Sequence, residues 1–135
     1  MSDDEVDSRL REMDTGVLSL ARDGDAYAIP AAYYYDGGSL LLRLGDHPES
    51  DKMQYIDSTG NACFVVHEKR GEGDAWSVVV NGPLRRLADE EMAEFTETEI
   101  NERFPSIWVF DEEIAELVPA IFELPLDDVT GRQTE

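Results

Sequence analysis

Ala26-Tyr27-Ala28-Ile29-Pro30-Ala31-Ala32-Tyr33-Tyr34-Tyr35, then Asp36-Gly37-Gly38, then Ser39-Leu40-Leu41-Leu42-Arg43-Leu44: this stretch decides the fold. A run of Tyr and small residues turns through Asp-Gly-Gly into a Leu-rich run, which reads as two strands of a hairpin. Pro30 offers no ladder N–H. It therefore marks an edge, a bulge or a place where something else approaches the backbone. Upstream, Gly16 to Arg22 reads as another strand, and Asp23-Gly24-Asp25 as a second tight turn. Downstream, the strand ends in a Gly45–Glu49 loop, and a short helix spans Ser50 to Ser58 with Ser50 as cap. Thr59-Gly60-Asn61 ends that helix. A nearly continuous apolar strand follows from Ala62 to Lys69, then a loop from Arg70 to Asp74. Trp76 to Leu87 is one long strand, bent at Asn81-Gly82-Pro83.

The flanks are helical. Val6, Leu10 and Met13 recur at helical spacing in Ser2–Met13, with Ser2 placed to cap. Asp89 caps a predicted helix reaching Phe104, with Met92, Phe95, Ile100 and Phe104 as its apolar side and Pro105 as its stop. Asp111 to Leu117 reads as another helical turn or two. Ala120 to Leu126 is the last predicted strand, and 127–135 a polar tail. The expected class is mainly β with α additions: a six-stranded antiparallel barrel with short flanking helices. At 135 residues the chain fits one domain, 1–135, with an N-terminal helix within 1–14.

Charge narrows the function. Thirty-one acids face eleven Lys and Arg, a net charge of −20, alongside 41% hydrophobic residues. A nucleic-acid binder needs a basic face, and anionic lipid repels such a chain, so neither partner is expected. The acids are dispersed, and the bases are nine Arg and two Lys. That pattern reads as halophilic, a protein of a salt-saturated cytoplasm where self-repulsion is screened. No run approaches a membrane span, and the acidic start lacks the basic and apolar regions of a secretory signal. Cys63 is the single cysteine and lies in an apolar run, so it reads as a small buried hydrophobe in a reducing compartment. A cytoplasmic location follows as the expectation.

Catalytic templates are absent: no Gly-x-Ser-x-Gly, no phosphate loop, no His-Glu-x-x-His, no paired Cys. His47 and His67 are too few and too separate for a closed metal site, so no metal is expected. The cations are more informative. Arg43 and Lys52 bracket a loop that enters a helix capped by Ser50, where dipole, backbone N–H and ammonium suit a phosphate. An exposed Lys pairing with nearby acids explains the same residues equally well.

The order of small-residue strand, Asp-Gly hairpin, strand, Ser-x-Lys helix entry, apolar strand and Trp76-Ser77-Val78-Val79-Val80-Asn81-Gly82 resembles the pyridoxamine 5′-phosphate oxidase-like flavoproteins. Val129-Thr130-Gly131-Arg132 is similar to that family's Thr-Gly-Lys ending. The resemblance implies a split β-barrel, FMN as cofactor, and a homodimer with the cofactor at the subunit interface. It implies that Ala28, Ile29, Pro30 and Ala31 lie along the isoalloxazine ring through their backbone. Arg43, Leu44, Ser50 and Lys52 match the ribityl-phosphate site, Ser77 a position at the ring edge, and Trp108 a region often supplied by the second subunit. Asp51 stands where many relatives have Arg, and Ala28 where true pyridoxamine phosphate oxidases have Arg. The resemblance thus implies flavin binding more than vitamin B6 oxidation. The expected activity is FMN-dependent oxidoreduction of a small-molecule substrate. The rival expectations are a non-catalytic flavin carrier and a barrel using haem or a deazaflavin.

Overall fold

The computed structural model describes residues 1–46, 55–56, 59–93 and 118–134. Its order is α1 (Asp3–Glu12), β1 (Thr15–Arg22), β2 (Asp25–Tyr35), β3 (Ser39–Asp46), β4 (Ala62–Gly71), β5 (Asp74–Gly82), β6 (Arg85–Arg86), α2 (Asp89–Met92), β7 (Val118–Pro125) and β8 (Asp128–Gln133). All pairings are antiparallel, in one curled sheet of order β6-β7-β3-β2-β1-β4-β5-β8. The split-barrel expectation holds, with eight strands in place of six.

Each extra strand has a physical origin. The run read as one strand, Trp76 to Leu87, stops at Gly82. Pro83 cannot donate to a ladder, and Arg85–Arg86 pair instead with Glu123 and Phe122 of β7, at the opposite sheet edge. The polar tail forms β8 along β5, Val80 opposite Val129 and Ser77 opposite Arg132. Its inward side offers little to a hydrophobicity reading: Val129 packs on the core, and Gly131 lies so close to α1 that a Cβ there would meet Met1 Sδ and Val6 Cγ2 at 2.9 Å. The Arg70–Asp74 loop shrinks to a Glu72-Gly73 turn, with Gly73 at φ 77°.

Period-two alternation builds the core. Leu18, Leu20, Ala31, Tyr33, Leu40, Leu42, Phe64, Val66, Val78 and Val80 all face inward. The Phe64 ring meets Tyr33 edge-on at 5.6 Å. Helix α1 covers this interior. Ser2 Oγ accepts from Glu5 N–H at 3.2 Å and the Glu5 carboxylate accepts from Ser2 N–H, a complete capping box. Leu10 is fully buried, and the Tyr33 hydroxyl donates to the Leu10 carbonyl at 2.8 Å. Burial, with the Asp14 charge added, pushes the Tyr33 phenol well above its ordinary range.

Of the predicted helix from Asp89, the described part is Asp89–Met92. Its cap is Ala88, not Asp89. Glu91 does the work by accepting the Ala88 N–H at 3.0 Å. The rest of that helix, the Asp111–Leu117 turn and all of the Ser50–Ser58 helix except Tyr55 and Ile56 lie outside the described residues. Among the described residues no helix is long and apolar enough to cross a membrane.

Candidate functional site

Strand β2 is held on one edge and open on the other. Its turn to β1 has two residues, Asp23 and Gly24, at φ 50° and 87°. The closing pair, Arg22 and Asp25, therefore exchanges hydrogen bonds, and pairs alternate from there. Tyr27, Ile29 and Ala31 bond to β1; the backbone groups of Ala28, Pro30 and Ala32 point toward β3. Ala32 meets Arg43, and the β2–β3 ladder stops at that pair. The β2–β3 ladder thus stops before Ala28, whose N–H and C=O have no ladder partner among the described residues. Pro30 sits where its missing N–H costs no ladder bond, which explains a proline inside an eleven-residue strand.

The side chains divide by face. Ala28 and Pro30 point outward and are exposed. Ala31 is buried in the core, and Ile29 packs against it. Arg43 is outward, opposite Ala32 on β2 and Ile121 on β7. Leu44 is 3% exposed and inward. As a side chain, then, Leu44 belongs to the core and cannot face a ligand on the outer surface; the same holds for Ala31. Ser77 is outward but three strands from β2, about 14 Å at the usual strand spacing. One chain therefore brings Pro30 near Arg43, with Ala28 two residues further along β2, and leaves Ser77 apart. Ser50, Lys52 and Trp108 lie outside the described residues.

The outer face has a property that single residues did not reveal. Pro30, Val17, Val65 and Val79 form one row across β2, β1, β4 and β5, and Ala28, Ser19, Cys63 and Asn81 the next. Among the outward positions of these four strands and β8, Asp128 is the single carboxylate, although acids make up 31 of 135 residues. The outer face of β3 and β7 is different. Ala32, Leu41 and Ile121 pack there with Leu87 and Met92 from the β6–α2 segment. No described element covers the β2-β1-β4-β5-β8 face. The signal in sequence was the alternation itself: every second residue in these strands avoids acid.

The chain after β3 returns to β2 on its inner side, against the core. Tyr55 stacks on Tyr27 of β2, centroids 5.0 Å apart and planes 19° apart. Thr59 Oγ1 accepts from Ala21 N–H at 3.2 Å and donates toward the Ala21 carbonyl at 3.1 Å. Lys52 precedes Tyr55 by three residues. Elsewhere the shifted acids serve structure. Arg85 makes a two-pronged contact with Glu91 at 2.8 and 3.0 Å. That contact, with the Ala88 N–H, holds the Glu91 carboxyl down at about 2. Asp7 is lowered by Arg11 and then by the Tyr35 hydroxyl. Neither cluster adjoins the open edge of β2. Among the described residues no three His, Cys, Asp or Glu gather to hold a metal ion.

Comparison with known proteins fits this geometry. The sequence profile described as Pyridoxamine 5'-phosphate oxidase matches residues 2–133. An FAD-binding protein from Mesorhizobium loti has a similar solved structure, with TM-score 0.78 and 21% identity, covering 100% of this chain and 96% of that one. An FAD-binding protein from Mycobacterium smegmatis follows at TM-score 0.68 and 20% identity, covering 99% and 96%. An FAD- and haem-binding protein from the same organism has TM-score 0.73 and 16% identity, covering 99% and 72%. At these identities the likeness is one of fold. No protein with a curated description matches the chain.

Proposed function

Because the chain belongs to the pyridoxamine 5′-phosphate oxidase family, whose profile spans residues 2–133, we propose that it is a flavin-binding oxidoreductase working as a homodimer, with FMN as the flavin. The observation that carries this reading is the edge of β2 beyond its ladder with β3, beside an outer face on which Asp128 is the single carboxylate among the described residues. A flavin's ring system is flat and ends in alternating amide-like N–H and C=O groups. The backbone N–H and C=O of Ala28, beyond the end of the β2–β3 ladder, complement that edge, and the small side chains of Ala28 and Pro30 leave a flat surface. Any carboxylate at this place would repel a phosphate-bearing ligand; Arg43, the outward cation next to Ala32, attracts one.

When bound, the flavin supplies hydride acceptance and donation. The chain's part is to bind and orient. Ala28 and Pro30 fix the ring edge through backbone groups, with Ile29 and Ala31 anchoring the strand to the core beneath. Arg43, with Ser50 and Lys52 at the helix entry, would hold the phosphate. Ser77 is too far from β2 within one chain, so a twin is proposed to bring its Ser77, and the Trp108 region, to the ring. The rows Pro30-Val17-Val65-Val79 and Ala28-Ser19-Cys63-Asn81 are the surface on which the two copies would meet. Nothing in this arrangement requires a side-chain acid or base, so the substrate is left to the flavin's own reactivity. FAD is the second reading, favoured by the names of three solved neighbours.

The test is direct. Protein purified in molar KCl is titrated with FMN, FAD and riboflavin, following absorbance near about 450 nm, and its mass is measured by light scattering. Yellow dimers with FMN tightest support the reading. FAD tightest selects the second reading. A colourless preparation that takes up no flavin overturns both, and a single-chain mass with flavin bound overturns the shared site. Turnover with reduced nicotinamide then separates an enzyme from a flavin carrier.

A further inference from the structure

In so acidic a chain almost every base has found a partner. Arg9, Arg11, Arg70 and Arg85 hold carboxylates, and Arg86 lies over the Phe122 ring. Among the described residues, Lys69 and Arg132 are the basic side chains that make no ion pair, hydrogen bond or ring contact. They occupy the same corner of the outer face. His67 on β4 stands opposite Ser77 on β5, and Ser77 stands opposite Arg132 on β8. Lys69 is the next outward residue after His67, opposite Ala75. Directly opposed residues place their Cβ atoms about 4.5–5.5 Å apart. The Lys69 and Arg132 side chains are long enough to reach a ligand held above the Ser77 hydroxyl from both sides. A groove of about 320 Å³ runs between β5 and β8, walled by Ala75, Trp76, Ser77, Arg132, Gln133 and Thr134, with His67 and Lys69 on the next strand outside its walls.

The outward positions of β4 and β5 carry no acid, and on β8 the nearest is Asp128, four residues from Arg132. Two cations left without carboxylate neighbours in a chain of −20 are available to a charge from outside. We propose that this corner is an oxyanion subsite, taking the phosphate or carboxylate of a small-molecule ligand. Arg132 is the forked donor and Lys69 the point charge. The Ser77 hydroxyl and a His67 ring N–H complete the set. It is a different place from Arg43, which lies three to five strands away on β3. Since the twin's Ser77 is proposed to meet the flavin ring, the subsite's place beside that ring rests on the flavin reading, while its binding of the free ion does not. Contact with a bound oxyanion is short enough to survive molar salt, where longer-range attraction does not.

The test uses isotope-labelled protein in molar KCl, titrated with inorganic phosphate in one arm and acetate in the other, with backbone amide signals as the readout. Saturable shifts clustered at His67, Lys69, Ser77 and Arg132 are expected, and the tighter arm names the oxyanion. The double variant Lys69→Gln, Arg132→Gln changes two exposed side chains and should stay folded by circular dichroism. It should bind the tighter ion at least about tenfold more weakly. No saturable shift at this corner, or equal affinity in the double variant, overturns the proposal. Flavin titration of the same variant reports separately on the flavin reading.

Discussion

Gly16 occupies a position that no side chain can share. A Cβ built there would meet Phe64 Cε1 at 2.5 Å and the Val65 carbonyl oxygen at 2.6 Å. The ring could tilt, but the carbonyl belongs to the β1–β4 ladder and cannot. Gly16→Ala should therefore destabilise the fold by about 1–3 kcal/mol, read as a lower urea midpoint at unchanged slope. The sequence showed Gly16 as the start of a strand and not as a contact, because close approach between strands leaves no mark in one strand's pattern. Pro30 was more legible: a proline inside a strand demands an open edge, and β2 has one. The outward or inward sense of Ala31 and Leu44 was not, since Ala and Leu suit either face. Lys52 offers the sharpest test of the proposed phosphate site. A charge-assisted hydrogen bond contributes roughly 1.5–3 kcal/mol, so Lys52→Ala should weaken FMN about tenfold to a hundredfold. Riboflavin, without phosphate, should hardly respond. Arg70→Ala is the control, since Arg70 pairs with Glu12 and Glu68 on the α1 side of the sheet. Equal FMN affinity in the two variants, titrated in the same salt, would move the phosphate elsewhere.

At the scale of elements, strong local chemistry was readable and edge pairing was not. The capping box of α1 could be foreseen from Ser2, and the hairpins from Asp-Gly pairs, because each is settled within a few residues. β8 escaped because its strand character comes from β5 and α1, which lie far away in sequence. α2 shows a cap that moved: Ala88 has no side-chain acceptor, and Glu91 supplies one while also holding Arg85. This has a consequence in acid. The folded Glu91 carboxyl sits at about 2, against an ordinary 4.5. A lowered folded value means the contribution is fully present above about 4.5 and is lost as pH falls through about 2. Glu91 is exposed, so its share is small. The expected outcome is a melting-temperature gap between the wild type and Glu91→Gln that is constant near neutrality and closes as pH drops across that window. A gap that stays open at the acid end would mean that Glu91 acts through packing and not through its charge.

Over the whole molecule the charge is distributed with a pattern. Acids fill both helix starts, Asp3-Asp4-Glu5 and Asp89-Glu90-Glu91, and the loops, while the outer face of β2, β1, β4, β5 and β8 carries Asp128 alone. Among the described residues the acids therefore form a shell around a face that carries one carboxylate. Repulsion within that shell opposes the compact state, and few pairs offset it: the described ion pairs are exposed or half-exposed and contribute little each. Salt changes this balance. The Debye length falls from about 10 Å at a tenth molar to about 3 Å at one molar, shorter than the spacing of most neighbouring carboxylates. Melting temperature should therefore rise steeply from dilute buffer to molar KCl and then flatten, because screening saturates once charges no longer sense one another. Specific uptake of potassium by the folded state would instead keep raising stability with the logarithm of concentration, with no plateau. NaCl and KCl separate the two mechanisms again: screening treats them alike, and ion-specific sites do not. A melting temperature that does not shift upward between low and molar salt would show that the acid shell is no burden to the fold, and the reading of this chain as salt-adapted would fail with it.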